Sequence, residues 1–173
     1  VTSGLRLRHR RPDDVEAVAA FLARYHAEVV ARKSELMRPL EHPAVIAVDA
    51  GRLIGVVTYV VDGAVCELLT VHTDDRLRGV GTALIEGVVQ RAAALGCTRL
   101  ELVTTNDNVE ALRFYQRREF RLVGIRPGAV DEARRALKPS IPATGNFGIP
   151  IRDEIDLART VRPTNAGHPG PAQ

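Results

Sequence analysis

The chain has 173 residues, 45% hydrophobic and 26% charged, with a formal net charge of +3, the balance of one ordinary globular domain able to close a core. No apolar run approaches the roughly 20 residues that span a bilayer, and the opening VTSGLRLRHRR has no apolar signal stretch, so a soluble, cytoplasmic chain with no membrane partner is expected. Cys66 and Cys97 lack CxxC spacing and read as buried free thiols, and with 4% aromatics and no Trp there is little from which to build a nucleic-acid stacking platform.

In chain order, Leu5 to Arg8 alternates apolar and basic as a short strand, and Pro12, Asp13, Asp14 and Glu16 then open a helix with acids in its first turn. Val15, Val18, Ala19, Leu22, Tyr25 and His26 recur at the spacing of one buried face, which carries that helix to about Val30. Two prolines break the pattern from Ala31 to Pro43, predicting a loop or irregular helix. Ala44–Val48, Leu53–Val61 and Ala64–His72 are β-branched runs separated by the turn signals Asp49-Ala50-Gly51 and Asp62-Gly63, hence an antiparallel meander. Leu84, Ile85, Val88, Val89, Ala92 and Leu95 form the stripe of a second long helix stopped by Gly96. A strand from Thr98 to Thr104, a helix from Asn106 to Arg117 and a strand from Phe120 to Ile125 follow. Pro127 to Leu137 reads as a short helix, Lys138 to Pro150 as a Pro- and Gly-rich loop, and Arg152 to Arg159 as a last strand. The tail from Val161 is expected to be disordered. The expectation is a mixed α/β domain over residues 1–160, with a tail at 161–173.

The strongest local feature is Arg76-Leu77-Arg78-Gly79-Val80-Gly81-Thr82-Ala83, a strand exit followed by glycines that open a helix. Free N–H groups and the dipole at a helix start favour anions, Gly admits a phosphate without a Cβ in the way, and Arg76 and Arg78 add charge. No Gly-Lys-Ser/Thr follows, so this is not a Walker loop, and the third Gly of a dinucleotide fingerprint is missing. Glu67 and Glu101 stand in otherwise apolar strands, where a carboxylate needs a reason to be, and His72 at the end of the fourth strand is of the residue type whose ordinary titration lies near neutral pH. His9, His26, His42, His72 and His168 are scattered without HExxH or a Cys/His cluster, so no metal is expected.

R-x-x-G-x-G after the fourth strand, followed by Asn108-Val109-Glu110-Ala111-Leu112-Arg113-Phe114-Tyr115 after the fifth, resembles the GNAT superfamily of N-acetyltransferases over roughly Leu5 to Arg159. The resemblance implies a central, mostly antiparallel sheet of about seven strands flanked by helices and splayed between strands 4 and 5. It implies acetyl-CoA as co-substrate, its pyrophosphate on Arg76, Arg78, Gly79, Val80, Gly81, Thr82 and Ala83, and its pantetheine along Leu69, Thr70 and Val71, near Asn108. Tyr115 is implied beside the thioester sulfur as the acid for the departing thiolate, a backbone N–H near Val71 as the donor to the carbonyl, and Glu67 as the preferred base acting through water. The acceptor is an amine, small, aminoglycoside-like or on a protein, and its identity is open. A coenzyme A-binding regulatory module without turnover is the competing class, and a homodimer is compatible with the chain without being specified by it. Three departures stand out: Leu77 and Glu119 where the family favours Gly, and the 127–150 segment where a short hairpin usually joins strands 6 and 7.

Overall fold

The computed structural model describes residues 4–74 and 79–164. Seven strands form one sheet in the order β1-β4-β5-β6-β7-β9-β8, where β1 is Arg6–His9, β4 Ala44–Asp49, β5 Arg52–Asp62, β6 Val65–Thr73, β7 Arg99–Thr105, β8 Arg121–Arg126 and β9 Glu154–Thr160. All neighbours pair antiparallel except β6 and β7. This is the mixed, mostly antiparallel sheet expected from the sequence, with the last strand slotted between the fifth and sixth predicted ones.

The near-continuous apolar run of β4 follows from burial on both faces. Ala44 and Ile46 pack with Val18, Phe21 and Leu22 of α1 (Val15–Arg24), whereas Val45 and Ala47 join Leu84, Ile85, Val88 and Ala92 of α2 (Val80–Ala94) on the opposite face. Tyr115 of α3 (Val109–Gln116) and Phe120 belong to the α2 side. The sheet therefore separates a face covered by α1 from one covered by α2 and α3.

Three expectations are corrected. Helix α1 stops at Arg24 instead of near Val30, because Tyr25 leaves helical geometry and His26 takes a left-handed φ of 53°. Tyr25 still packs against that buried face, its ring centroid 5.3 Å from that of Phe21, whereas His26 is exposed and closes the helix. The segment expected to be loop or irregular helix holds a hairpin of β2 (Val30–Arg32) and β3 (Glu35–Met37), turned by Lys33 and Ser34 at φ 48° and 61°, the positive values a two-residue hairpin loop demands. The tail is packed at its start, since Val161 is 2% exposed and donates to Thr98 O at 2.8 Å, and Thr164 donates to Ala93 O. Residues 165–173 lie outside the described residues.

The 127–150 segment is a structured arm. Helix α4 (Ala129–Ala136) is followed by a loop pinned back onto the β7–α3 corner, where the buried Asp107 carboxylate accepts from Asn146 N and Nδ2. Gly145 is needed there, because a Cβ on it would collide with the Asp107 carboxylate. Lys138 Nζ donates to Val29 O at 2.6 Å and so ties the arm to the β2–β3 hairpin.

Glu119 closes α3 at φ 67°, the left-handed region where a side chain is strained. Its carboxylate lies 3.3 Å from Arg159 but is 79% exposed, so that pair offsets little. Glu119→Gly should raise stability by up to about 1 kcal/mol, read as a higher urea midpoint at unchanged slope. A lowered midpoint would mean that the Arg159 contact outweighs the strain.

Candidate active site

Strand β6 pairs with β5 along its length, but the register skips from Thr58↔Thr70 to Tyr59↔Leu68, leaving Leu69 as a bulge. On its other side β6 pairs with β7 only from Val65↔Arg99 to Leu68↔Leu102. Beyond Leu68 the two strands part, and the backbone from Leu69 onward has no β7 partner. A cleft of about 200 Å³ opens there, lined by Leu69, Thr70 and Val71 with Val30, Asn108 and Tyr115. A second cavity of about 770 Å³ shares Val71, His72, Asn108 and Tyr115 and runs on to Gly79, Gly81 and Thr82. Of the residues expected to form one site, those on β6, the α2 turn and α3 are therefore brought together. Arg76 and Arg78 lie outside the described residues.

Each residue of the α2 turn has a distinct part. Gly79 is the N-cap at φ 96°, with open space where a Cβ would stand. Among the described residues the first helical bond is Ala83 N–H to Gly79 O at 2.8 Å, so the N–H groups of Val80, Gly81 and Thr82 precede the α2 ladder, at the helix end whose dipole favours anions. Ala83, also expected to hold phosphate, has its N–H already engaged. Val80, expected beside the phosphates, turns its side chain into the core at 0% exposure. Gly81 is small for a reason the sequence did not reveal, since a Cβ on it would lie 3.2 Å from the Phe114 ring.

Asn108 is the N-cap of α3, its Oδ1 accepting from Ala111 N at 3.2 Å, while it also lines both cavities. Tyr115 is 9% exposed, stands edge-on to Phe114 and Phe120, and its phenol is pushed well above its usual range by burial, which keeps it protonated as a donor.

Glu67 is placed differently from the expectation of a base free to act through water. Its Oε1 lies 3.1 Å from Arg32 Nε and its Oε2 accepts from Lys33 Nζ at 3.1 Å, so both oxygens face cations of the β2–β3 hairpin. Lys33 also reaches Glu101 at 3.8 Å and donates its backbone N–H to the buried Glu154 carboxylate. His72 lines both cavities and stacks on Tyr25 with ring centroids 4.7 Å apart, and burial pushes its imidazole down to about 4.

Arg113, Arg117 and Arg118, to which the sequence alone gives no role, complete the cavity. Arg118 donates through Nε to Thr82 Oγ1 at 3.0 Å, with Nη2 bonding the same oxygen, and through Nη1 to Phe114 O at 2.7 Å, its guanidinium 3.5 Å from the Phe114 ring centre. Arg113 and Arg117 line the same cavity. The readable signal was the i, i+4 spacing of Arg113 and Arg117 on the helix that carries Asn108 and Tyr115. Among the described residues no group of three or more His, Cys, Asp or Glu is placed to hold a metal, and no helix is long and apolar enough to cross a membrane.

A sheet parted beside a bulged strand, with a glycine-bearing helix start at the end of the same cavity, has the layout of an acyl-CoA-dependent acetyltransferase. Residues 10–120 match the Acetyltransferase (GNAT) family, and the chain belongs to that family. It is 42% identical over 113 residues to the uncharacterised protein YdhI of Bacillus subtilis, covering 65% of this chain and 70% of that one. Its fold is similar to that of the IAA acetyltransferase from Bacillus cereus, at TM-score 0.66 and 21% identity, over 91% of this chain and 99% of that one. It is also similar to a GNAT family acetyltransferase from Elizabethkingia anophelis with acetyl-CoA bound, at TM-score 0.64 and 17% identity, over 92% and 99% of the two chains.

Because the folded His72 pKa lies below its unfolded value of 6.5, the unfolded chain binds the extra proton, and stability must fall as pH drops from about 6.5 toward 4. Between pH 7 and pH 5 the loss attributable to His72 should be about 1–2 kcal/mol after allowance for partial exposure, and His72→Gln should flatten that stretch of the urea-denaturation profile. An unchanged slope in the variant would show that His72 titrates normally.

Proposed function

We propose that this chain acetylates a primary amine by direct transfer from acetyl-coenzyme A, with Tyr115 as the proton donor to the departing thiolate. The observation that carries this reading is the continuity of one cavity system from the parted edge of β6, past Tyr115, to Gly79, Gly81 and Thr82 at the start of α2. The residues fit the coenzyme. The α2 turn supplies N–H donors and open space for a diphosphate, the free edge of β6 supplies peptide groups for the amides of the pantetheine arm, and the cavity volume suits a ligand of that size. When bound, the coenzyme supplies an activated acetyl thioester.

The chain's own groups then have separate tasks. A backbone N–H near Val71, rigid in the sheet, donates to the thioester oxygen without reorganisation. Tyr115 holds its proton at any working pH and delivers it to sulfur. Thiol and phenol share the same desolvated cleft, so burial raises both acids and narrows the mismatch that their ordinary values of about 8.5 and 10 would set. The amine enters in its neutral form, having lost one proton to solvent, and a second proton leaves nitrogen as the N–C bond forms. We assign its acceptance to His72, which is neutral and lines both cavities, in preference to Glu67, whose oxygens are held by Arg32 and Lys33. Glu67 instead anchors the hairpin that walls the acceptor side with Val30, and the 127–150 arm buttresses that hairpin through Lys138.

Tyr115→Phe should lower kcat on the order of 10²-fold with little change in KM for acetyl-CoA, measured as free thiol released with an amine identified by screening. In the same assay log(kcat/KM) of the wild type should rise with pH up to the pKa of the amine itself, with no inflection near 6.5. Full activity in Tyr115→Phe, or a plateau set at pH 6.5 whatever the amine, would rule out these assignments.

A further inference from the structure

The far end of the larger cavity carries more positive charge than a diphosphate held by backbone N–H groups requires. Among the described residues Arg113, Arg117 and Arg118 all line it, against the one carboxylate of Glu110. Arg118 is engaged by Thr82, the Phe114 carbonyl and the Phe114 ring, so it has a structural task and ties this wall to the first turn of α2. Arg113 and Arg117 do not share that task. They stand one helical turn apart, as the bond from Arg117 N to Arg113 O at 3.3 Å shows. Arg113 meets Glu110 at only 4.0 Å, with both side chains largely in solvent, a weak pair. Arg117 sits close enough to Arg118 that its charge, after the larger effect of burial, helps push the Arg118 guanidinium below its ordinary value. Cations gathered along one wall, as Arg117 and Arg118 are, repel, and a dianion placed against that wall relieves the repulsion.

We propose that Arg113 and Arg117 form a subsite for the 3′-phosphomonoester of the coenzyme, so that the protein selects 3′-phosphorylated coenzyme A over its dephosphorylated form. The inference rests on the coenzyme reading above and adds to it a second anion site beside the α2 turn. A phosphomonoester suits the pair because planar guanidinium forks match its oxygens, and a dianion gains more from two adjacent cations than a diphosphate oxygen already met by N–H donors. Arg118 links the two sites, since its hydrogen bond to Thr82 begins where the N–H donors end and its chain neighbour is Arg117.

The test is isothermal titration of coenzyme A and of 3′-dephospho-coenzyme A, without acceptor and at one salt concentration. It compares wild type, Arg113→Gln, Arg117→Gln and the double variant, with thermal melts to confirm that each is folded. Wild type should bind coenzyme A at least about tenfold more tightly than the dephosphorylated form, and the double variant should bring that ratio close to one while moving the dephospho-coenzyme Kd less than about twofold. A wild-type ratio near one would overturn the subsite and leave the coenzyme reading standing. Equal weakening of both ligands in the variants would assign these arginines to general electrostatic attraction and overturn it too. Failure of wild type to bind either ligand would remove the coenzyme reading itself.

Discussion

A β-strand has two hydrogen-bonding edges, and the architecture turns on what β6 does with its second one. Its edge toward β5 is satisfied throughout, at the expense of a bulge at Leu69. Its edge toward β7 is satisfied for four residues and then released. Peptide groups left unpaired inside a domain must find another partner, because a buried orphan donor or acceptor is destabilising by about 1–3 kcal/mol. Here the release happens beside a cavity, so that partner can be an extended ligand that adds itself to the sheet. The bulge, the parting of the strands and the turn at Gly79 all lie on or directly after this one strand.

The surrounding layers keep the parted sheet from closing. On one face α2 and α3 meet through Gly81 and Phe114, an approach that no larger residue at position 81 would permit without displacing the ring. On the other face the β2–β3 hairpin is held less by apolar packing than by ions, with Arg32 and Lys33 on Glu67 and the Lys33 N–H on Glu154. Glu154 is itself paired with Arg126 of β8 at 2.8 Å, so charges of β6, β9, β8 and the hairpin form one connected network. Partly buried ion pairs specify geometry better than they stabilise it. That network explains why carboxylates occur in strands whose other residues are apolar.

Most of the sheet was legible because burial on two faces writes long β-branched runs, as in Ala44–Val48 and Leu53–Val61, and because Asp62-Gly63 marks its turn plainly. The helix carrying Asn108 and Tyr115 was legible from the same kind of periodicity. The hairpin at 30–37 was not. Its strands are three residues each, too short to show alternation, and its turn uses Lys33 and Ser34 where Gly or Asn would have signalled it. The surroundings of Glu67 were not legible for a related reason: its position on β6 is readable, but its cationic neighbours Arg32 and Lys33 come from that hairpin. The smallness of position 81 is readable, but the contact that constrains it is a ring across 33 residues of sequence, which spacing within the motif could not reveal. Arg113 and Arg117 were visible as basic residues, and only the fold shows that they face the cavity that Tyr115 faces.

Seating of the coenzyme's thioester arm depends on the free edge of β6. Amide hydrogen exchange at Leu69, Thr70 and Val71, followed residue by residue with and without saturating coenzyme A, addresses it directly. New protection at one or more of these amides, together with the N–H groups of Val80 to Thr82, is the predicted result. Protection confined to the start of α2, with β6 unchanged, would contradict it, because the ligand would then be held by its phosphates alone and its thioester end would not enter the parted sheet.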